Sequence, residues 1–200
     1  LYVRLAFFYN TVAYIVSMGD WYHWVFQIEK FLDLGDKILE VGLGTGKLIE
    51  RLDEKNFFIV GIDRSKQMLR IIRSKIQSNK INVCKADNLF LPFRDHSFDK
   101  VLATFPSEYA FKNQFLLDVK RVLKSNGELI ILMGVVFTQK GIVNNLFRHV
   151  YWISGQTKSK ENFETSIIAI FGKQARFEIQ WEPHKNVEIC FVRIKNNQIV

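Results

Sequence analysis

The sequence predicts an α/β fold in one three-layer domain: a mostly parallel sheet with helices on both faces and an antiparallel hairpin at its end. Three observations carry this. Short β-branched runs alternate with helix-period segments between residues 37 and 134. The last stretch, ARFEIQWEPHKNVEICFVRIKN, alternates apolar and polar residues on both sides of a turn signal. The chain has 200 residues, 48% of them hydrophobic, a size that suits one core.

In order, residues 1–36 form an N-terminal helical region. KILEVG is the first strand, and KLIERLDEK is its helix, with Leu48, Ile49 and Leu52 facing the sheet. FFIVGID is the second strand. SKQMLRIIRSKI follows as a helix capped by Ser65, with Met68, Leu69, Ile72 and Ile76 as its apolar stripe. INVCKAD and KVLATF are strands three and four. KNQFLLDVKRVLKSNG reads as a helix with Phe115, Leu116, Val119, Val122 and Leu123 inward and Asn126-Gly127 as a left-handed stop. ELIILMG is a buried fifth strand, residues 141–172 alternate helical and irregular patterns, and the hairpin closes the sheet edge.

The formal net charge is +8, unevenly spread. Residues 1–36 hold Arg4 and Lys30 against four acids, whereas Arg64, Lys66, Arg70, Arg73, Lys75 and Lys80 form a run without an acid. Such a run is ordinarily the solvated face of a helix, and it also permits a polyanionic partner. Cys84 and Cys190 lie far apart in strand-like runs, which suggests reduced thiols and a cytoplasmic protein. His23, His96, His149 and His184 lack the paired spacings of a metal site, so no metal is assigned. The apolar opening stretch is interrupted by Arg4, Asn10 and Thr11 and reads as amphipathic, not as a membrane span. Leucine comes first, so a targeting signal upstream would not be visible.

The chemistry begins at EVGLGTG. Gly42, Gly44 and Gly46 lie between strand one and its helix, where side chains would block a ligand from backbone N–H groups. Asp63 ends strand two, placed to accept hydrogen bonds from ribose hydroxyls, because open parallel sheets bind ligands at the carboxyl ends of their strands. A dinucleotide loop needs its third glycine where this chain has Lys47, which argues against NAD and FAD.

EVGLGTG, VGIDRSKQML, KADNLFLPFRDHSFDKV and VKRVLKSNGELIIL, taken together over residues 37–133, resemble the class I S-adenosyl-L-methionine-dependent methyltransferases. The resemblance implies a Rossmann-like, seven-stranded, mostly parallel sheet with an antiparallel C-terminal hairpin. It divides the domain into an N-terminal helical lid (1–36), a cofactor-binding core (37–135), and acceptor-side helices with the closing hairpin (136–200). It also implies that Gly42 and Gly44, with Leu43 and Gly46 in the same loop, pack against the methionine part of the cofactor, with Glu40 near its ammonium. Asp63, followed by Arg64, would hold the ribose. Met68 would cover the adenine or simply be core, and Asp87, with Ala86 and the backbone of Asn88 and Leu89, would read the adenine edge. Thr104 and Tyr9 complete the cofactor set. Asp99 would fix the entry to strand four, and His96 would be exposed.

A sulfonium methyl is already activated, so the protein need mainly align an acceptor and place one proton. Glu108 and Tyr109, after strand four, are the nearest candidates for that task, or else an ordinary helix start. Thr104-Phe105-Pro106-Ser107 differs from the Asn-Pro-Pro-Tyr of amino-group methylases, which argues against exocyclic base methylation. The segment FFYNTVAYIVSMGDWYHWV more loosely resembles the start of the ubiquinone and menaquinone C-methyltransferases. Ala13, Ser17, Gly19 and Trp24 match, whereas Tyr9-Asn10 replaces Tyr-Asp. The resemblance implies a helical lid in which Tyr9 or Tyr14 approaches the cofactor. Phe137, Phe147, Tyr151 and Trp152 make an apolar acceptor pocket plausible.

The expectation is a methyltransferase that uses S-adenosyl-L-methionine, releases S-adenosyl-L-homocysteine, and acts on oxygen or carbon of a lipophilic small molecule. Two alternatives stay open: RNA methylation on the basic helix face, and a non-catalytic cofactor-binding partner subunit.

Overall fold

A computed structural model describes residues 20–76, 78–138 and 160–200. Its sheet has seven strands: β1 Lys37–Val41, β2 Phe58–Asp63, β3 Ile81–Lys85, β4 Phe98–Thr104, β5 Leu123–Phe137, β6 Glu178–His184 and β7 Val187–Lys195. They lie in the order β3-β2-β1-β4-β5-β7-β6. The first five are parallel, and β7 runs antiparallel to both β5 and β6. The direction of strand succession reverses between β1 and β4, the place where such sheets open a crevice for ligand.

Alternation of side chains splits the core across the sheet. Leu39, Val41, Val101, Ala103, Ile131 and Val192 face one side, where helices α4 (Asn113–Val122) and α5 (Lys160–Phe171) contribute Phe115, Leu116, Ile167 and Phe171. Ile38, Ile59, Leu102, Ile130 and Phe191 face the other, under helices α1 (Trp21–Phe26), α2 (Lys47–Glu54) and α3 (Lys66–Arg73). The helices α2 and α3 form on the expected stripes, although α3 ends at Arg73, so Ile76 lies beyond it. Leu48, Ile49 and Leu52 of α2 are buried, as are Leu69 and Ile72 of α3, whose Ser65 side chain caps the Met68 amide.

The N-terminal helix is fastened at several points. Trp24, Val25 and Ile28 are buried on the sheet face. Lys30 pairs with Glu182 at 2.6 Å, and Asp20 pairs with Lys185 at 2.6 Å. Phe31, in the 3-10 turn Gln27–Phe31, meets Phe191 edge-on at 5.0 Å. Within the described residues, then, this region covers a sheet face. Tyr9 and Tyr14 at one end, and His149, Phe147, Tyr151 and Trp152 near the other, lie outside the described residues.

Two sequence expectations are corrected. Asn126-Gly127 is not a left-handed stop, since neither residue has positive φ. Helix α4 ends at Val122, and Leu123 is already extended and paired with Phe98. Gly127 is needed for space instead: a Cβ there would lie 2.9 Å from the Lys124 carbonyl and 3.0 Å from that of Asp99. The fifth strand is accordingly longer than ELIILMG, with a register shift where it passes Asp99. The hairpin turn is also tighter than Glu-Pro-His-Lys-Asn. Only Lys185-Asn186 lie between the strands, Lys185 takes φ +50°, and Pro183 sits in β6, the edge strand that tolerates a missing N–H.

His96 is exposed, with Nδ1 3.0 Å from the Leu123 carbonyl oxygen. Asp99 does hold the start of β4, accepting from the Lys37 amide at 3.0 Å and from the Lys124 ammonium at 2.8 Å. Cys84 and Cys190 are free thiols. Among the described residues no helix is long and apolar enough to cross a membrane.

Phe191 is fully buried and anchors the N-terminal region against β7. Phe191→Ala should lower unfolding free energy by about 3–5 kcal/mol, read as a reduced midpoint in urea denaturation followed by circular dichroism.

Candidate functional site

At the carboxyl ends of β1 and β2 the backbone is arranged by glycine. Gly42, Gly44 and Gly46 hold φ of +82°, +52° and +74°, a region where other residues are strained. The turn is stitched by the Gly42 amide donating to the Ile62 carbonyl at 2.9 Å and the Gly46 amide donating to the Leu43 carbonyl at 2.8 Å. The three glycines have different surroundings. A Cβ on Gly42 would lie 2.8 Å from the Tyr109 hydroxyl, and one on Gly46 would lie 2.5 Å from Ile72 of α3. One on Gly44 would meet nothing within 4 Å among the described residues, so none of them fills the space beside this glycine.

Asp63 closes β2 beside the loop. Its carboxylate accepts the Ser65 amide at 2.8 Å. Burial raises its pKa, while hydrogen bonds from the backbone of Ser65, Gly44, Leu43 and Arg64 act to lower it. Asp63 thus ties the glycine loop to the start of α3. The Ala86 amide donates to the Asp63 carbonyl at 3.3 Å, which brings the end of β3 to the same place.

Beyond β3, Asp87 accepts the Leu89 amide at 3.0 Å in a tight turn, with the Arg64 guanidinium 3.9 Å away. Asn88 is 8% exposed, and its Oδ1 has no partner among the described residues. The loop that follows is pinned from α4, because Arg121 donates to the carbonyls of Leu91 at 2.8 Å and Phe93 at 2.6 Å. Met68 is half-buried in the first turn of α3.

Glu40 is the most unusual group. It is the fourth residue of a five-residue strand, 1% exposed, and its Oε2 has no hydrogen-bond partner among the described residues. A buried, unsatisfied carboxyl is costly and cannot easily hold a charge. Burial first, and then the nearby Asp63, push its pKa up to about 8.

Tyr109 lies in a 3-10 turn, Glu108–Phe111, after β4. Its hydroxyl donates to the Val41 carbonyl at 2.7 Å. Burial, then Glu40 and Asp63, raise its pKa. In this position the phenol keeps its proton and braces the glycine turn from below. Glu108 beside it is exposed.

The tip of β4 carries a pair that composition and spacing did not single out. Phe105 follows Thr104 with φ +43° although it is bulky and precedes proline, and its amide still donates to the Leu132 carbonyl at 2.9 Å. Its ring stacks on Trp21 of α1, centroids 4.1 Å apart and planes 23° from parallel. Such strain costs on the order of 1–3 kcal/mol and persists only where its surroundings impose it. The structure therefore gathers Glu40, Gly42, Leu43, Gly44, Asp63, Arg64, Ala86, Asp87, Asn88 and Leu89 at one end of the sheet, with Thr104 and Tyr109 across the β1–β4 crevice. The only sequence signal for the aromatic pair was the unusual Phe-Pro after strand four.

The sign of the Glu40 linkage gives a testable stability trend. Its folded pKa is raised from 4.5 to about 8, so the folded protein binds more protons than the unfolded chain in between. Stability of the ligand-free protein should fall as pH rises from about 5 to 8, by up to roughly 1.4 kcal/mol per unit, and Glu40→Gln should flatten the trend. Denaturation midpoints measured across that range check it.

A family profile described as "Methyltransferase domain" matches residues 39–131. An uncharacterized protein of Methanocaldococcus jannaschii is 29% identical over 163 residues, 80% of this chain and 61% of that one. A demethylmenaquinone methyltransferase of Thermotoga maritima is 27% identical over 205 residues, 92% of this chain and 89% of that one. The chain spans about six-tenths of the length of the first curated relatives it matches. The crystal structure of a SAM-dependent methyltransferase from Aquifex aeolicus superposes with a TM-score of 0.61 at 19% identity, covering 86% of this chain and 89% of that one, a likeness of fold. Profile, relatives and sheet order agree: residues 39–131 match a methyltransferase-domain family, and the chain is similar to methyltransferases in sequence and to the S-adenosyl-L-methionine-dependent ones in fold.

Proposed function

We propose that the protein is a methyltransferase that takes its methyl group from S-adenosyl-L-methionine and delivers it to carbon or oxygen of a flat, apolar acceptor. The observation that carries the donor reading is the buried Glu40 carboxyl near the carboxyl end of β1, whose Oε2 lacks a partner among the described residues, on the strand that leads into the glycine loop. The residues fit the cofactor. Glu40 lacks a partner that an ammonium would supply. Gly44 leaves room against the backbone, Asp63 ends β2 where ribose hydroxyls would approach, and Asn88 Oδ1 is an unused acceptor beside Asp87.

The cofactor supplies a methyl group already activated on a sulfonium sulfur. What remains for the chain is to bind, orient and exclude water. Tyr109 is assigned to bracing the loop, since its hydroxyl is bonded to Val41. Glu108 is the carboxylate next to the crevice that could receive the acceptor's proton. Trp21 and Phe105 would wall the acceptor side, and their stacked rings favour a flat apolar molecule. The Thermotoga maritima relative is named a demethylmenaquinone methyltransferase, which favours a quinone-type acceptor among the flat apolar molecules. The free thiols suit a reducing compartment, and we place the protein in the cytoplasm.

The RNA reading receives less support. Of its basic run, Arg64 faces Asp87, Arg73 donates to the Val83 carbonyl, Lys75 lies near Glu50 and Lys80 covers Phe58. That leaves Lys66 and Arg70 exposed on α3.

Incubation with methyl-labelled cofactor and cell extract, then separation into lipid, nucleic-acid and protein fractions, should place label in the lipid and small-molecule fraction. Label confined to nucleic acid or protein would overturn the acceptor class, and no label in any fraction would favour a non-catalytic subunit. Asp63→Ala should weaken cofactor binding at least about ten-fold in titration calorimetry, the loss of two charge-assisted hydrogen bonds. Unchanged affinity would remove Asp63 from the ribose site.

A further inference from the structure

We infer that cofactor binding at this site is coupled to the release of one proton from Glu40: the free protein carries the neutral acid, and the ammonium group of the bound cofactor replaces that proton. The inference rests on the donor reading above and concerns how the site is controlled.

Among the described residues Glu40 finds no partner of its own. Its ladder neighbours are Gly61 of β2 and Leu102 of β4, which bring no polar side chain. Oε2 is buried and unbonded. The donors around it are committed elsewhere. The Tyr109 hydroxyl goes to Val41, and the amides of Leu43, Gly44, Arg64 and Ser65 turn to Asp63. Nor is a cation at hand among the side chains nearest along the chain. Lys47 of α2 is bonded to Glu50 at 2.8 Å, and Arg64 faces Asp87. The titratable groups that bear on Glu40 are Asp63 from β2, whose negative charge opposes ionisation, and Tyr109 from the 3-10 turn, a neutral phenol.

A lone carboxylate in such a place is heavily penalised by the loss of water, and taking up a proton is the cheaper state. An ammonium in contact reverses the balance, because the pair attracts strongly where water is excluded. Burial sets the exchange in the physiological range, with Glu40 pushed up to about 8. At pH 7 about nine-tenths of the free protein then carries the proton, so binding should release about 0.9 proton, and the dissociation constant should rise about ten-fold for each pH unit below 8. Only ligands with the amino-acid moiety should do this. S-adenosyl-L-homocysteine has the ammonium, whereas 5′-methylthioadenosine lacks it.

The test is titration calorimetry at pH 7 in phosphate and in Tris, whose different ionisation enthalpies report protons exchanged. S-adenosyl-L-homocysteine should release close to one proton per site, and 5′-methylthioadenosine close to none. With Glu40→Gln, release on binding S-adenosyl-L-homocysteine should vanish, and its affinity should change little between pH 6 and 8. Binding of S-adenosyl-L-homocysteine without proton release, equal release by the two ligands, or undiminished release in the variant would each overturn the inference. The two-ligand comparison on the unaltered protein decides the matter even if the variant does not fold. Failure of both ligands to bind at any pH would instead overturn the donor reading, and the inference with it.

Discussion

Between Val41 and Lys47 the chain reverses from strand to helix in five residues, three of which hold positive φ. That reversal is the constraint on which the carboxyl end of the sheet depends. Tyr109 can donate to the Val41 carbonyl only because Gly42 has no Cβ, and Ile72 of α3 can seat only because Gly46 has none. The loop amides then find Asp63, which in turn holds Ser65 and the start of α3. A side chain at Gly42 or Gly46 would thus disturb the 3-10 turn after β4 or the packing of α3, so the loop's effects reach well beyond the loop.

Much of this could be read from the residues in order. Alternation located the sheet, since Ile38, Leu39 and Val41, or Ile130 and Ile131, go where period two sends them. The caps and stripes of α2 and α3 were local features, and local features are legible. The glycine loop and Asp63 were legible because their spacing is set by one strand, one helix and the adjoining strand. Phe105 was not. Its backbone is imposed by Leu132 and Trp21, both distant in sequence, and nothing local favours a bulky residue there. The same holds for Asn126-Gly127, where a plausible stop signal gave way to the crowding of Gly127 against Asp99. Tyr109 looked like a candidate for chemistry because it follows β4, but only three-dimensional placement reveals that its hydroxyl meets a backbone carbonyl.

The site is also unusual in sign. A protein with net charge +8 concentrates two carboxyls and a phenol in its crevice, while the cations are held at the rim or turned to other acids. Long-range attraction from the whole molecule would therefore do little to draw in a cationic ligand, and selection must come from contact inside the crevice. Burial there makes each contact matter, because an unmet polar group costs more than it would in water.

One detail far from the site bears on how the molecule behaves among its copies. The outermost strand next to the hairpin turn is β6, and Pro183 interrupts its row of backbone donors near its end. A neighbouring chain that tried to extend the sheet by adding a strand would find that edge broken, with Glu182 and Lys185 beside the gap already paired to the N-terminal region. At high concentration this border discourages edge-to-edge growth, the first step towards fibrous aggregates.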